Sequence, residues 1–221
     1  MPRRASLFSS SGSFAALYSS SGALPAAAYA SCASEPPMPT PTLTQRLKIA
    51  LDVARGMAYL HGLDPRVMHR DLKTENVILA RELLYQEEVP MAKVVDFGLS
   101  RAMARGATDL TRLVGTPRWM APETMTGGLY DGSVDIYAFA LLLYECLALC
   151  VPFGDDERAL PQRLELFVAS GGRPDDIQPL RDAPPWAEAL LRRAWAQQPT
   201  DRPSFAEIVA ELEAHFTDPS P

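Results

Sequence analysis

The run Val134–Leu149 limits what this chain can fold into more than any other stretch. Its only charges are Asp135 and Glu145. A helix apolar on every side has no face for water, so it belongs at the centre of a domain with other elements packed around it. The other home for such a run is a bilayer, which needs about 20 apolar residues. Ile136–Leu149 is shorter than that and is interrupted by Glu145. The chain therefore needs a shell of amphipathic elements. Its 221 residues are the size of one domain or one large lobe, enough to bury a real core.

The shell is readable. Ordered structure is expected to begin near Thr42, and Leu47, Ala50, Leu51, Ala54, Met57 and Ala58 recur at spacings of three and four, the apolar face of a helix that ends near His61–Gly62. Thr44 is the expected N-cap. Further helices are expected at Glu157–Ser170, Pro185–Ala196 and Ser204–Phe216, with prolines at helix starts and Gly171–Gly172 as a stop. Val77–Leu79 and Lys93–Val95 read as short strands joined by the polar stretch Glu82–Val89. The fold class expected is mainly α, with one or two small β-hairpins. Cys146 and Cys150, four residues apart, and Trp186 and Trp195 are read as core residues.

Residues 1–41 differ from the rest. Residues 1–34 hold ten Ser and nine Ala, with Arg3 and Arg4 as the only charges, and a proline run from Pro36 to Pro41 follows. This low-complexity segment fits a flexible stretch or an organelle transit peptide. The domain is expected over 42–217, with 218–221 as a short tail. A net charge of −6 argues against nucleic acid or an anionic membrane as partner. Three cysteines give no disulfide framework and suggest a reducing compartment. The cytoplasm is therefore the expected location, or an organelle if residues 1–34 are a transit peptide. The scattered His and Cys have no zinc spacing.

Chemistry concentrates in three segments: His69-Arg70-Asp71-Leu72-Lys73-Thr74-Glu75-Asn76, Asp96-Phe97-Gly98, and Gly115-Thr116-Pro117-Arg118-Trp119-Met120-Ala121-Pro122-Glu123. In order and spacing they resemble the catalytic loop, metal loop and activation segment of protein kinases. Asp135 in the apolar helix and Asp201-Arg202-Pro203-Ser204-Phe205 resemble landmarks of the same family's C-terminal lobe. The resemblance covers about residues 43–216. Lys73 and Gly115-Thr116-Pro117 are similar to Ser/Thr-type enzymes, and the wording around Trp119 and Arg202 is similar to the tyrosine-kinase-like group.

The resemblance implies a protein-kinase C-lobe that takes ATP, Mg2+ and a protein substrate. Asp71 is implied as catalytic base, Asn76 and Asp96 as metal ligands, and Lys73 as the cation for the γ-phosphoryl. Thr116 is implied to bond Asp71 and Lys73, and Ile78 to lie against adenine. Structural and regulatory roles are implied for His69 and Phe97 (a stack), Gly98, Glu123 with Arg202 (a buried ion pair) and Asp135 (bonds to catalytic-loop amides). Arg70 is implied to meet a phosphorylated Thr108 or Thr111.

One part of the family pattern is absent. No Gly-rich loop with a Val-Ala-x-Lys strand precedes Thr44. The only lysines are Lys48 on the first helix, Lys73 in the catalytic loop and Lys93 on a strand, so none is left to hold the α/β-phosphates. Gly12–Tyr18 is loosely similar to the short helix after the kinase hinge, which would make the Ser/Ala segment an insertion. The expectation is an N-lobe-free, truncated chain of a longer kinase, with weak or no activity alone. The alternative is a kinase-derived binding module without catalysis.

Overall fold

The computed structural model describes residues 40–217 apart from 82, 84, 105–107, 109–114, 155–160, 177–178 and 181–182. The proposed Ser/Ala segment before Thr40, Gly12–Tyr18 within it, Thr111 and the tail after Thr217 lie outside the described residues. The apolar run forms α3 (Ser133–Ala148), with Tyr137, Phe139, Leu141, Leu142, Leu143 and Tyr144 all fully buried. Leu149 ends it in a left-handed conformation, φ 56°, and its N–H bonds Glu145 O. Helix α1 (Leu43–Gly62), α5 (Pro185–Ala194) and α6 (Phe205–Thr217) pack around this axis, with α1 against both α3 and α6. Helix α4 (Pro161–Ala169) packs on the short α2 (Pro122–Met125).

Local chemistry explains the helix ends. The cap of α1 is Thr42, not Thr44. Thr42 Oγ1 accepts the Gln45 N–H at 3.2 Å and Gln45 Oε1 accepts the Thr42 N–H at 2.9 Å. This is a reciprocal capping box, and its Thr-x-x-Gln spacing was legible in the sequence. Ser204 and Glu207 bond each other's backbone N–H in the same way ahead of α6. Gly171, φ 95°, closes α4 as expected.

Four short strands pair in nested fashion. β1 (Arg66–Met68) runs antiparallel to β4 (Arg101–Met103), and β2 (Val77–Leu79) runs antiparallel to β3 (Ala92–Val94). β3 starts one residue earlier than expected and ends at Val94. The loop 69–76 joins β1 to β2, and the loop 95–100 joins β3 to β4. Because outer strand pairs with outer and inner with inner, the two loops emerge at the same end and face each other. The β1–β4 pair was not read from sequence, since three-residue strands leave no periodicity to find.

Two core expectations need correction. Trp195 is buried, but Trp186 is only half-buried and stacks on His215 at 3.9 Å between ring centres. Cys146 is buried in α3, whereas Cys150 lies past the helix end and is half-buried. Burial pushes the Cys146 thiol up to about 12, so it stays a neutral apolar filler.

Candidate active site

The loop 69–76 is held from below. Asp135, in the first turn of α3, is 1% exposed. Its Oδ2 accepts the His69 N–H at 2.9 Å and its Oδ1 accepts the Arg70 N–H at 2.8 Å. His61 Nε2, at the end of α1, lies 2.8 Å from Oδ2. Burial opposes ionisation of Asp135, but the bonds from His61 and the two amides outweigh it, and the carboxyl stays below its usual range. The sequence marks His61 only as the end of a helix. The signal that could have found it is the buried charge of Asp135, which demands a donor.

His69 itself is fully buried. Its Nδ1 accepts the Asp71 N–H at 3.4 Å and its Nε2 donates to Val95 O at 3.0 Å. Its ring packs on Phe97, 5.2 Å between centres. One imidazole therefore ties the two loops together. Arg70 and Asp96 both take φ of 65°, a rare conformation for residues with side chains and a mark of loops whose shape is imposed. Arg70 Nε donates to Leu99 O at 2.7 Å.

Above this base four polar side chains converge. Asp71 Oδ1 accepts the Thr116 hydroxyl at 2.7 Å, and Asp71 Oδ2 lies 3.0 Å from Lys73 Nζ. Lys73 Nζ also donates to Thr116 Oγ1 at 2.5 Å. Asn76 Nδ2 donates to Asp71 O at 2.7 Å and Oδ2 at 3.2 Å. Asp71 and Lys73 remain partly open to solvent, 13% and 19% exposed. Gly115 lets the Thr116 segment approach this closely. It takes φ of 110°, and a Cβ there would sit 2.6 Å from Arg70 O.

Asp96 enters from the facing loop. Val95 N–H bonds Asn76 O at 2.9 Å, which continues the β2–β3 register and sets Asp96 beside the Thr74–Asn76 turn. Asp96 Oδ1 accepts the Gly98 N–H at 3.2 Å, and the residue is exposed. The donor set fits magnesium. Two acceptors on Asp71 claim the nitrogen of the Asn76 amide, so its carbonyl oxygen is the atom left for a cation. Together with the Asp96 carboxylate, that gives oxygen ligands only, the kind Mg2+ takes alongside phosphates and water. Ile78 sits half-buried on β2, just past Asn76.

The remaining expected residues fall as follows. Glu123 and Arg202 form a bidentate pair at 2.6 and 2.9 Å, with the Arg202 side chain wholly buried. Arg202 also donates to Ser133 O and Ala196 O. Thr108 is exposed. Phe97 is 48% exposed. Besides His61, the sequence marks no role for Thr74 and Glu145. Thr74 is buried, and its hydroxyl donates at 2.9 Å to Glu145, the second charge of α3.

Comparison with known proteins agrees with this geometry. Residues 33–212 match the protein kinase domain, and the chain belongs to the protein kinase family. It is 37% identical over 166 residues to the probable serine/threonine-protein kinase roco8 of Dictyostelium discoideum, covering 75% of this chain and 9% of that protein. It is 34% identical over 165 residues to the serine/threonine-protein kinase CTR1 of Arabidopsis thaliana, covering 75% of this chain and 19% of that protein. It is 37% identical over 179 residues to the dual serine/threonine and tyrosine protein kinase of Strongylocentrotus purpuratus, 79% of this chain and 17% of that protein. These matches bear out the resemblance to Ser/Thr kinases and to the tyrosine-kinase-like group. The chain spans less than a fifth of the length of each of these relatives.

Proposed function

We propose that this chain carries the phosphoryl-transfer centre of a protein Ser/Thr kinase, which moves the γ-phosphoryl of ATP to Ser or Thr hydroxyls of a protein substrate. The observation that carries the reading is the Asp71 carboxylate held at once by Thr116, Lys73 and Asn76, with Asp96 on the adjoining loop. Mg-ATP, when bound, supplies the phosphoryl group and a cation that neutralises its charge. Asp71 orients the substrate hydroxyl and accepts its proton. Thr116 and Asn76 fix the carboxylate, so little reorganisation accompanies that transfer. Lys73 brings the positive charge that meets the transferred group. Asn76 and Asp96 are the cation's protein ligands. Ile78 and the exposed face of Phe97 lie on the nucleotide side. Arg70, whose guanidinium reaches the 95–100 loop, is the residue to meet a phosphate on Thr108 or Thr111.

A second reading has its own support. All three lysines are already placed: Lys48 pairs with Asp52 at 2.7 Å, Lys73 sits at Asp71, and Lys93 lies on β3. None of these three is free for the α/β-phosphates, so the 221 residues by themselves fit a lobe that binds partners without catalysis. A transfer assay with Mg-ATP and a generic protein substrate decides between them. The 221-residue chain alone should show weak or no transfer. Any transfer it does show should vanish in Asp71→Ala. Transfer that persists in Asp71→Ala refutes the assignment of the base.

A further inference from the structure

Glu145 is a carboxylate in the core for which the proposed chemistry has no use. Its residue is wholly buried on α3. Its Oε2 accepts the Thr74 hydroxyl, and its Oε1 is buried with no hydrogen-bond partner. The Trp119 indole N–H, on the turn Pro117–Trp119, is also buried and without another partner, and it lies near enough to the carboxyl to favour the ionised form, though burial outweighs it. An ionised carboxylate served only by neutral donors is a poor occupant of a buried, apolar helix environment. A protonated carboxyl keeps the Thr74 bond and leaves no charge behind.

We propose that Glu145 is a positioning residue: an uncharged carboxylic acid on the central helix that clamps Thr74 and so fixes the turn carrying Lys73 and Asn76. The proposal rests on the phosphotransfer reading for the function of that turn, but not for the clamp itself. The groups around the carboxyl fit a neutral acid. Glu75, on the same loop as Thr74, adds negative charge, and Tyr144, Cys146 and Cys150 on or next to α3 offer no cation. Arg118, on the Trp119 turn, is the one nearby positive group that favours ionisation, and burial outweighs it. The backbone shows what the clamp holds. Asn76 N–H bonds Lys73 O, and Val77 N–H bonds Thr74 O, so the turn closes on the residue that Glu145 grips.

The test uses the full chain and needs no transfer activity, so it stands or falls separately from the kinase reading. Difference infrared spectra of wild type against Glu145→Gln at pH 7 should show the carbonyl stretch of a protonated carboxyl in the wild type alone. Above the unfolded carboxyl value of about 4.3, a carboxyl still protonated in the fold holds a proton that the unfolded chain has released, so wild-type stability falls as pH rises. The ratio of unfolding constants, wild type over Glu145→Gln, should therefore climb by up to tenfold per pH unit. Amide exchange at Asn76 and Val77 should stay slow in Glu145→Gln and Thr74→Ser, and become fast in Thr74→Val, which keeps the shape but loses the hydroxyl. Absence of the carbonyl band, a flat ratio across pH 5–8, or full protection in Thr74→Val would each overturn the proposal.

Discussion

Asp135 shows how a single buried charge can organise a site it never enters. It holds the His69 and Arg70 amides and the His61 ring, and through them the backbone that presents Asp71. Those bonds keep its carboxyl ionised below the usual range despite burial. The sign of the pH effect follows. A depressed folded pKa adds stability that is present above the unfolded carboxyl value of about 3.9 and is lost as pH falls through the folded value. The stability gap between wild type and Asp135→Asn should therefore hold steady from pH 6 to 5 and shrink below about pH 4. Urea unfolding across that range measures it, and a gap unchanged at pH 3 would mean that Asp135 carries no charge in the fold. That Asp71, Lys73 and Asn76 gather at one place beside Asp96, and that Glu123 meets Arg202, could be read from motif order, because each stands inside a motif of several residues. His61, Thr74 and Glu145 could not. Their contacts are 71 and 74 residues apart, and a lone polar residue in a helix gives no clue to its partner.

At the scale of elements, the site is assembled by pieces too short to announce themselves. The long helices were legible because apolar spacing repeats over several turns, and their ends because caps and glycines mark them. The three-residue strands were half legible, and their nested pairing was not, since β1 and β4 meet across a separation that no local pattern encodes. One buried ion pair ties the 115–123 segment to the helical body. Glu123, at the start of α2, meets Arg202 just before α6, and Arg202 also bonds Ser133 O at the start of α3. With the Arg202 side chain fully buried, removing either partner strands the other. Arg202→Ala and Glu123→Ala should each cost about 3–5 kcal/mol in urea unfolding. The double variant should cost clearly less than the sum of the two, because the penalty is the unpaired charge and not the lost attraction. Additive losses would place the two residues in separate roles.

For the whole molecule, the question is what keeps this arrangement of small loops in place. The answer is α3. It is buried along nearly its full length, and it supplies Asp135 at one end and Glu145 near the other, so both anchors of the 69–76 loop ride on one rigid rod. Helices α1 and α5 pack on it directly, and α6 packs on α1. Among the described residues no helix is long and apolar enough to cross a membrane, and the apolar character of α3 is spent inside the protein. Damage to the rod should then reach the site, whereas equal chemistry at the periphery should not. Leu141 is 0% exposed in the middle of α3, and Leu166 on α4 is 73% exposed. Leu141→Ala removes the same atoms as Leu166→Ala but leaves a cavity that close-packed neighbours cannot fill, a loss of about 2–5 kcal/mol. Leu166→Ala should stay within about 0.5 kcal/mol of wild type. Paired urea melts measure both, and amide exchange at Asn76 and Val77 reports whether the loop follows the rod. Comparable melts for the two variants would show that the stability of this fold does not centre on α3.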